Sequence, residues 1–568
     1  MTRSWDREVD VLVAGTGAAG MTAAIAAADA GLETLIVEST GRWGGTTMRS
    51  GGGLWMPNNP LMRRNRVADS REDALTYLEA AIGPVEGVGP ASSHARREAF
   101  VDHVAPTFDL LERLGVKWIA AKQYPDYYPD RPGGKIGRSI EVVPINARRL
   151  GDWLKTSRIK DSVPAPLRNG DVALLSRAWS TASGFVAGAQ FVFRTLGGLL
   201  TGRMLVGMGG GLMISLGLIV KEQGTELLLD SPLTELVQDD TGAVVGAIVL
   251  TPEGPLAVRT RRGVILGAGG FAHHADWRTE HQGTAGYTSA AEGDLGTPIE
   301  LGRKAGAALA LMDDAWWGAS VPIPGKQAQF VLNERSDPFS IVVDQSGERY
   351  LNESESYIDF GHHLLERNEI VPAEPSWLIV ERRHRQRYMF SAMLMGGKAL
   401  AADGIVVKAD TIEQLAQKLG MNPAKLRATV DRFNGFCETG VDEDFGRGRT
   451  AYDRYYSDPR VKPNPNLGPL EKGPFTAIKI VPGDLGTKGG LLTDEHARVL
   501  DEQGTVIRGL YAAGNTTASV MGRTYPGPGS TIGPAAVFGY LAATHAAGAS
   551  DIDVVSATPK QEEKEALA

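Results

Sequence analysis

One cysteine, Cys437, stands in the whole 568-residue chain. A single thiol excludes an internal disulfide, a CxxC redox pair and any cysteine-built metal site, and it fits a reducing compartment. Long runs of one charge are also missing. The net charge of -8 is spread along the chain and offers no basic surface to nucleic acid. The start, MTRSWDREVDVLVAG, passes from charged residues straight into a strand pattern, with neither an apolar leader nor a small-residue cleavage site, so a cytoplasmic location is expected. There is no GxSxG nucleophile elbow and no internal repeat. The histidine pairs 273–274 and 362–363 are adjacent residues, which diverge on helix or strand, so no metal site is expected.

Hydrophobic runs of membrane-spanning length are missing as well. Residues 178–193 and 204–220 are free of charge and rich in apolar side chains, but they run only 16 and 17 residues. Arg194 and Arg203 lie between them, and GMGGG from Gly207 weakens the second as a membrane helix. Two readings stay open: buried or surface-capping helices, or a patch resting on the membrane surface.

What the chain does contain is the composition of a globular protein, 42% hydrophobic and 22% charged, at a length that allows a large core. Residues 9–14, VDVLVA, read as a buried strand, followed by GTGAAG, an alanine-rich helix ending at Gly31, and a second strand, ETLIVE. Gly15, Gly17 and Gly20 have GxGxxG spacing, and Glu38 closes the second strand 18 residues after Gly20. In such a unit the first glycine makes the tight turn, the second admits a pyrophosphate to the backbone and the third lets helix and strand pack. The helix N-terminus favours the phosphate charge, and the acid accepts from ribose hydroxyls. A dinucleotide-binding, Rossmann-like α/β fold follows.

Strand patterns return at 224–250, around the turn DDTG, and in RRGVILGAGGF. They return again in GLYAAGN, before a closing helix in STIGPAAVFGYLAATHAA with Pro534 near its first turn. Between about 317 and 482 the chain has more prolines, aromatics and charged helices, such as TIEQLAQKLG and NPAKLRATVDRFNGF. The expected organisation is a dinucleotide domain from 1–316 and 483–550, an inserted α+β domain at 317–482 and a frayed polar tail at 551–568.

The stretches GTGAAG, GGTTMRSGGGLW, IVVDQSGERYLNE, GDLGTKGGLLTD, GLYAAGN and TYPGPGSTIGPA together resemble the flavoproteins related to fumarate reductase. Within them, TYPGPG and PDYYPDRPGG are most similar to the 3-ketosteroid 1-dehydrogenase family, over about residues 8–547, and residues 155–205 resemble it least. The resemblance implies non-covalent FAD, bound where an inserted catalytic domain meets the nucleotide domain. It carries cofactor contacts onto Gly15, Gly17, Ala18, Ala19, Gly20, Glu38 and Ser39, and onto Gly44, Gly45, Thr46, Thr47, Ser50, Gly51 and Gly52. It adds Ala268, Gly269, Gly514, Asn515, Ser530 and Ile532.

The same resemblance implies a 3-oxosteroid substrate that loses hydrogens from C1 and C2 of its A ring, and an electron acceptor such as a quinone. The Tyr525 hydroxyl and the Gly529 amide would hold the 3-oxo oxygen, a two-donor arrangement of oxyanion-hole type. Tyr357 corresponds to the base. The supporting tyrosine is Tyr127, with Tyr128 as the rival, and Trp316, Trp317 and Tyr124 either line the pocket or pack the domain junction. A phenol with a pKa of about 10 is a poor base at neutral pH, so either the pocket stabilises phenolate or a tyrosine pair relays the proton. The rival readings are a steroid 4-dehydrogenase, a fumarate reductase-like enzyme for small dicarboxylates, and a flavin electron carrier.

Overall fold

Strand Arg7–Ala14 runs through the middle of an eight-stranded sheet and pairs in parallel with Thr34–Val37 on one side and Gly254–Leu266 on the other. Thr34–Val37 is followed outward by Glu226–Leu228, and Gly254–Leu266 by Val506–Ala512 and Arg498–Leu500. The antiparallel strands Val244–Thr251 and Leu233–Gln238 extend from Gly254–Leu266. The sheet therefore joins both ends of the chain, in the mixed α/β architecture expected. This computed structural model describes residues 4–121, 123–284 and 286–549, with the backbone alone at 393–398. The tail expected at 551–568 lies outside the described residues.

Both faces of the central strand are covered, as parallel sheets require. Val11 and Val13 enter one core while Leu12 and Ala14 enter another, because successive strand side chains point to opposite faces. The first core holds helix Ala18–Asp29 against the closing helix Ile532–Gly548, two alanine-rich surfaces that approach closely.

A seven-stranded sheet forms the other large layer. Its long strand Phe475–Thr487 pairs with Ala315–Val321 and Ser376–Val380, and carries Val406–Ala409 and Tyr287–Thr288 along its length. Helix Tyr357–Ile370 packs its buried face on this sheet through Phe360 and Leu364. A small antiparallel sheet of Leu54–Trp55, Ser139–Val142 and Trp118–Ala120 brings residues 124–129 under the loop 524–531.

The two uncharged stretches have different fates. Helix Met208–Glu222 is core, buried from Gly209 to Val220. Helix Ala182–Leu200 instead buries its small residues Gly184, Ala187 and Gly198 and turns its large apolar side chains to solvent. Among the described residues, no helix is long and apolar enough to cross a membrane.

Candidate active site and cofactor cradle

Three of the expected site tyrosines come together from distant parts of the chain. Tyr127 and Tyr525 stack at 5.2 Å, and Tyr357 meets Tyr127 at 5.5 Å and Tyr525 at 4.7 Å, edge to face in both cases. All three are buried. Trp316 closes on Tyr525 at 5.2 Å and Phe330 on Tyr357 at 5.1 Å. Trp317 lies elsewhere, beneath Arg278, and belongs to the packing between sheet and helix.

The loop 524–531 is pinned from below. Its Pro526 carbonyl accepts from the Tyr127 amide at 2.9 Å and the Tyr77 hydroxyl at 2.5 Å, and its Pro528 carbonyl from Ser139 at 2.7 Å. The Trp55 amide donates to Gly529 at 3.2 Å. Beneath Tyr127, Asp126 is bonded by Trp55 Nε1 and Arg138, both at 2.8 Å. Gly529 has φ +99°, and a Cβ there would stand 2.2 Å from the Gly53 carbonyl, so glycine is obligatory on two counts. The side chain of Ser530 is spent on this turn, donating to the Gly527 carbonyl and accepting from the Gly527 amide.

Electrostatics separates the three phenols. Burial raises the pKa of Tyr525, and hydrogen bonds from the Thr531 side chain, Tyr357 and the Gly529 and Thr531 amides oppose the rise. The Gly529 amide thus lies beside the Tyr525 hydroxyl. Burial drives Tyr127 and Tyr357 well above the ordinary phenol value, with the neighbouring tyrosines adding to it. Tyr357 occupies the first turn of helix Tyr357–Ile370, where the helix dipole favours negative charge. Tyr128 turns the other way and donates to Asp359 at 3.0 Å.

Sequence reasoning missed Tyr452, Tyr455 and Tyr456. Tyr452 lies 4.5 Å from Tyr127, Tyr455 stacks on Tyr124 at 4.4 Å, and the hydroxyls of Tyr456 and Tyr124 share a hydrogen bond. The one signal was three tyrosines within the six residues AYDRYY. Lys488 was missed too. It is fully buried, donates to the Gly522 and Thr524 carbonyls at 2.9 Å, and lies over Trp316 behind the Tyr525 loop.

The nucleotide end is built as a cradle. Gly15 has φ +101°, and a Cβ would strike the Ala268 backbone at 2.5 Å, so this turn tolerates no side chain. Above Gly17 the space stays open, with only the Thr47 hydroxyl within reach of an added Cβ, at 3.5 Å. Thr47 accepts from the Ala18 amide, Thr16 accepts from the Gly44 amide, and Thr46 accepts from Ala291. Ser50 closes the segment onto the Thr47 carbonyl. Glu38 is oriented by Thr16, Ser39 and Thr40, its carboxylate ready to accept from hydroxyls. Thr516 links Ala268 and Gly269 to residues 514–516, and Asn515 accepts from Trp316 Nε1 at 3.1 Å.

The model described as FAD binding domain matches residues 10–532. The 3-oxosteroid 1-dehydrogenase of Mycolicibacterium smegmatis is 43% identical over 94% of this chain and 97% of its own.

The chain belongs to the 3-oxosteroid 1-dehydrogenase family of FAD-binding flavoproteins.

The family fold extends over 95% of this chain. The structure of a 3-ketosteroid delta1-dehydrogenase from Sterolibacterium denitrificans, in complex with 1,4-androstadiene-3,17-dione, matches with a TM-score of 0.89. It shares 34% identity, over 95% of this chain and 100% of that one. The 4-oxocyclohex-2-ene-1-carboxylate 5-dehydrogenase of Sinomonas cyclohexanicum is also 34% identical, over 94% of this chain and 92% of its own. The cradle fits the FAD of this family: an open glycine surface for pyrophosphate and a placed carboxylate for ribose hydroxyls. The protein is an FAD-dependent oxidoreductase.

Proposed function

We propose that this protein introduces a double bond between C1 and C2 in the A ring of a 3-oxosteroid, with FAD held non-covalently. The convergence of Tyr127, Tyr357 and Tyr525 in a buried aromatic site carries the reading. The segments 1–316 and 483–550 hold the cofactor and the insert 317–482 covers it. The paired strands Ala315–Val321 and Phe475–Thr487 run through both limits.

The chemistry follows from the groups present. A hydrogen on C2 is acidic only if charge passes to the 3-oxo oxygen as an enolate. Tyr525 and the Gly529 amide donate to that oxygen, two fixed donors in a dry site. Tyr357 takes the proton from C2. Since burial keeps Tyr357 a phenol at rest, it gives up its own proton as it accepts one, through Tyr127 toward Tyr124 and Tyr452. FAD, when bound, would supply the acceptor for the hydride from C1, with a quinone or another carrier as the final electron acceptor.

A dicarboxylate substrate would need cations around it, whereas the rings packed on Tyr357 and Tyr525 are those of Tyr127, Trp316 and Phe330. Anaerobic mixing with a panel of 3-oxosteroids and with 4-oxocyclohexanecarboxylate tests the reading. Bleaching of the oxidised flavin band by the steroids alone supports it, and bleaching by the small ketone alone overturns it.

The proposal includes peripheral membrane contact from the cytoplasmic side. Phe185, Phe193, Leu199 and Leu200 are 69%, 75%, 68% and 89% exposed on helix Ala182–Leu200, an outward apolar stripe that a bilayer surface would bury. This helix packs on Asn169–Leu175, whose first amides bond Glu141 near Tyr124 and Tyr455, so the stripe borders the site. Steroids partition into bilayers. Co-sedimentation with phosphatidylglycerol vesicles is expected for the wild type and not for Phe193→Ser/Leu200→Ser. Equal sedimentation of the two removes this helix from the proposal.

A further inference from the structure

Arg96 is a buried cation without a matching anion. It sits in the first turn of helix His94–Arg113 and is 1% exposed. Its Nη1 donates to the carbonyl oxygens of Ala91 and Ala518, its guanidinium lies 4.9 Å from the Phe538 ring centroid, and its Nε has no partner. Among the described residues, no carboxylate is hydrogen-bonded to it. Burial brings its pKa down to about 10, and the charge of Asp494 opposes the fall. A buried charge is normally paired, because desolvation without a counter-charge costs several kcal/mol.

The surroundings indicate what supplies the counter-charge. Arg96 lines a cavity with Trp316, Asn515, Ser519, Thr531 and Ala535. Trp316 contacts Tyr525, and Gly514, which also lines the cavity, packs toward Ala19, so the cavity lies between the reacting end of the site and the glycine cradle. It is also capped by the first turn of helix Ile532–Gly548, whose N-terminus adds partial positive charge. Two independent sources of positive potential converge there.

We infer that Arg96 is the electrostatic partner of the negative charge that the flavin ring acquires on reduction. The inference rests on the proposed placement of FAD. In the reaction the substrate loses a hydride from C1 and a proton from C2. The proton goes to Tyr357, so the oxidised cofactor gains two electrons and one proton as the hydride, and with them one net negative charge. Arg96 stabilises that charge through the cavity wall and makes FAD a stronger oxidant.

The test compares holoenzymes of the wild type, Arg96→Met and Arg96→Lys by anaerobic spectroelectrochemical titration of the bound flavin. No steroid is present, so the outcome is independent of whether the substrate reading holds. Arg96→Met should weaken binding of reduced relative to oxidised FAD at least tenfold, which lowers the midpoint potential by about 30 mV for a two-electron couple. Arg96→Lys, which keeps the charge, should stay within threefold of the wild type. A smaller shift in Arg96→Met, or an equal shift in Arg96→Lys, overturns the inference. Arg96→Gln, which keeps a donor for the Ala91 and Ala518 carbonyls, replaces Arg96→Met and is read the same way if that variant does not fold.

Discussion

The ring of Tyr127 lies nearly parallel to that of Tyr525, 19° from coplanar with centroids 5.2 Å apart, although almost 400 residues of chain separate them. This stacking and the pinned Pro526 and Pro528 carbonyls leave the Tyr525 hydroxyl little freedom, and it faces the Gly529 amide. Removing that hydroxyl in Tyr525→Phe leaves one donor for the 3-oxo oxygen. Steroid-dependent flavin reduction should slow about a hundredfold or more, on the order of 3 kcal/mol, with FAD retained. Stopped-flow absorbance measures it.

Tyr357 and Tyr127 predict a different pattern. Burial keeps both phenols protonated at neutral pH, and a relay that passes a proton outward runs faster as rising pH draws the proton from its far end. The rate of flavin reduction in the wild type should therefore climb from pH 7 toward pH 10. Tyr357→Phe should collapse the rate and abolish the climb while FAD stays bound. Tyr127→Phe should slow reduction far more than Tyr128→Phe, because the Tyr128 hydroxyl is committed to Asp359 outside the ring cluster.

Gly529→Ala should cost stability as well as activity. The residue holds φ +99°, and the added methyl would press on the Gly53 carbonyl at 2.2 Å. A loss of about 2 kcal/mol or more is expected, read as a lower Tm of the holoenzyme beside the loss of steroid turnover.

The sequence made the nucleotide half of this picture legible and left the rest dark for a physical reason. Strand, glycine turn, helix and acid from Val9 to Glu38 are local, and each residue type has a stated job within 30 positions. The meeting of Tyr127, Tyr357 and Tyr525 is long-range, and only a family resemblance brought them to one place before the structure did. Tyr452, Tyr455 and Tyr456 had no such help, since nothing local in AYDRYY says which ring faces Tyr124. The apolar stretch 178–220 was ambiguous because composition cannot tell which face a helix buries. Glycine and alanine at 184, 187 and 198 decide it in helix Ala182–Leu200.

Lys488 sets a pH dependence of stability. Burial pulls its ammonium down to about 8, although Asp314 opposes the fall. A lysine in the unfolded chain titrates near 10.4. Between pH 8 and about 10 the unfolded chain therefore holds a proton that the folded protein has shed, and stability rises with pH across that window. Relative to Lys488→Met, the wild type should gain stability from pH 8 to pH 10 in chemical denaturation. Parallel curves for the two proteins would count against a depressed Lys488.

The most direct measurement is the product of a single anaerobic turnover. A saturated 5α-3-oxosteroid leaves both the C1–C2 and the C4–C5 bonds open to oxidation, so the protein must choose between them. Proton NMR of the extracted steroid should show a vinylic pair at C1 and C2, in an amount equal to the flavin bleached. A lone vinylic proton at C4, or bleaching without any new double bond, would contradict the account.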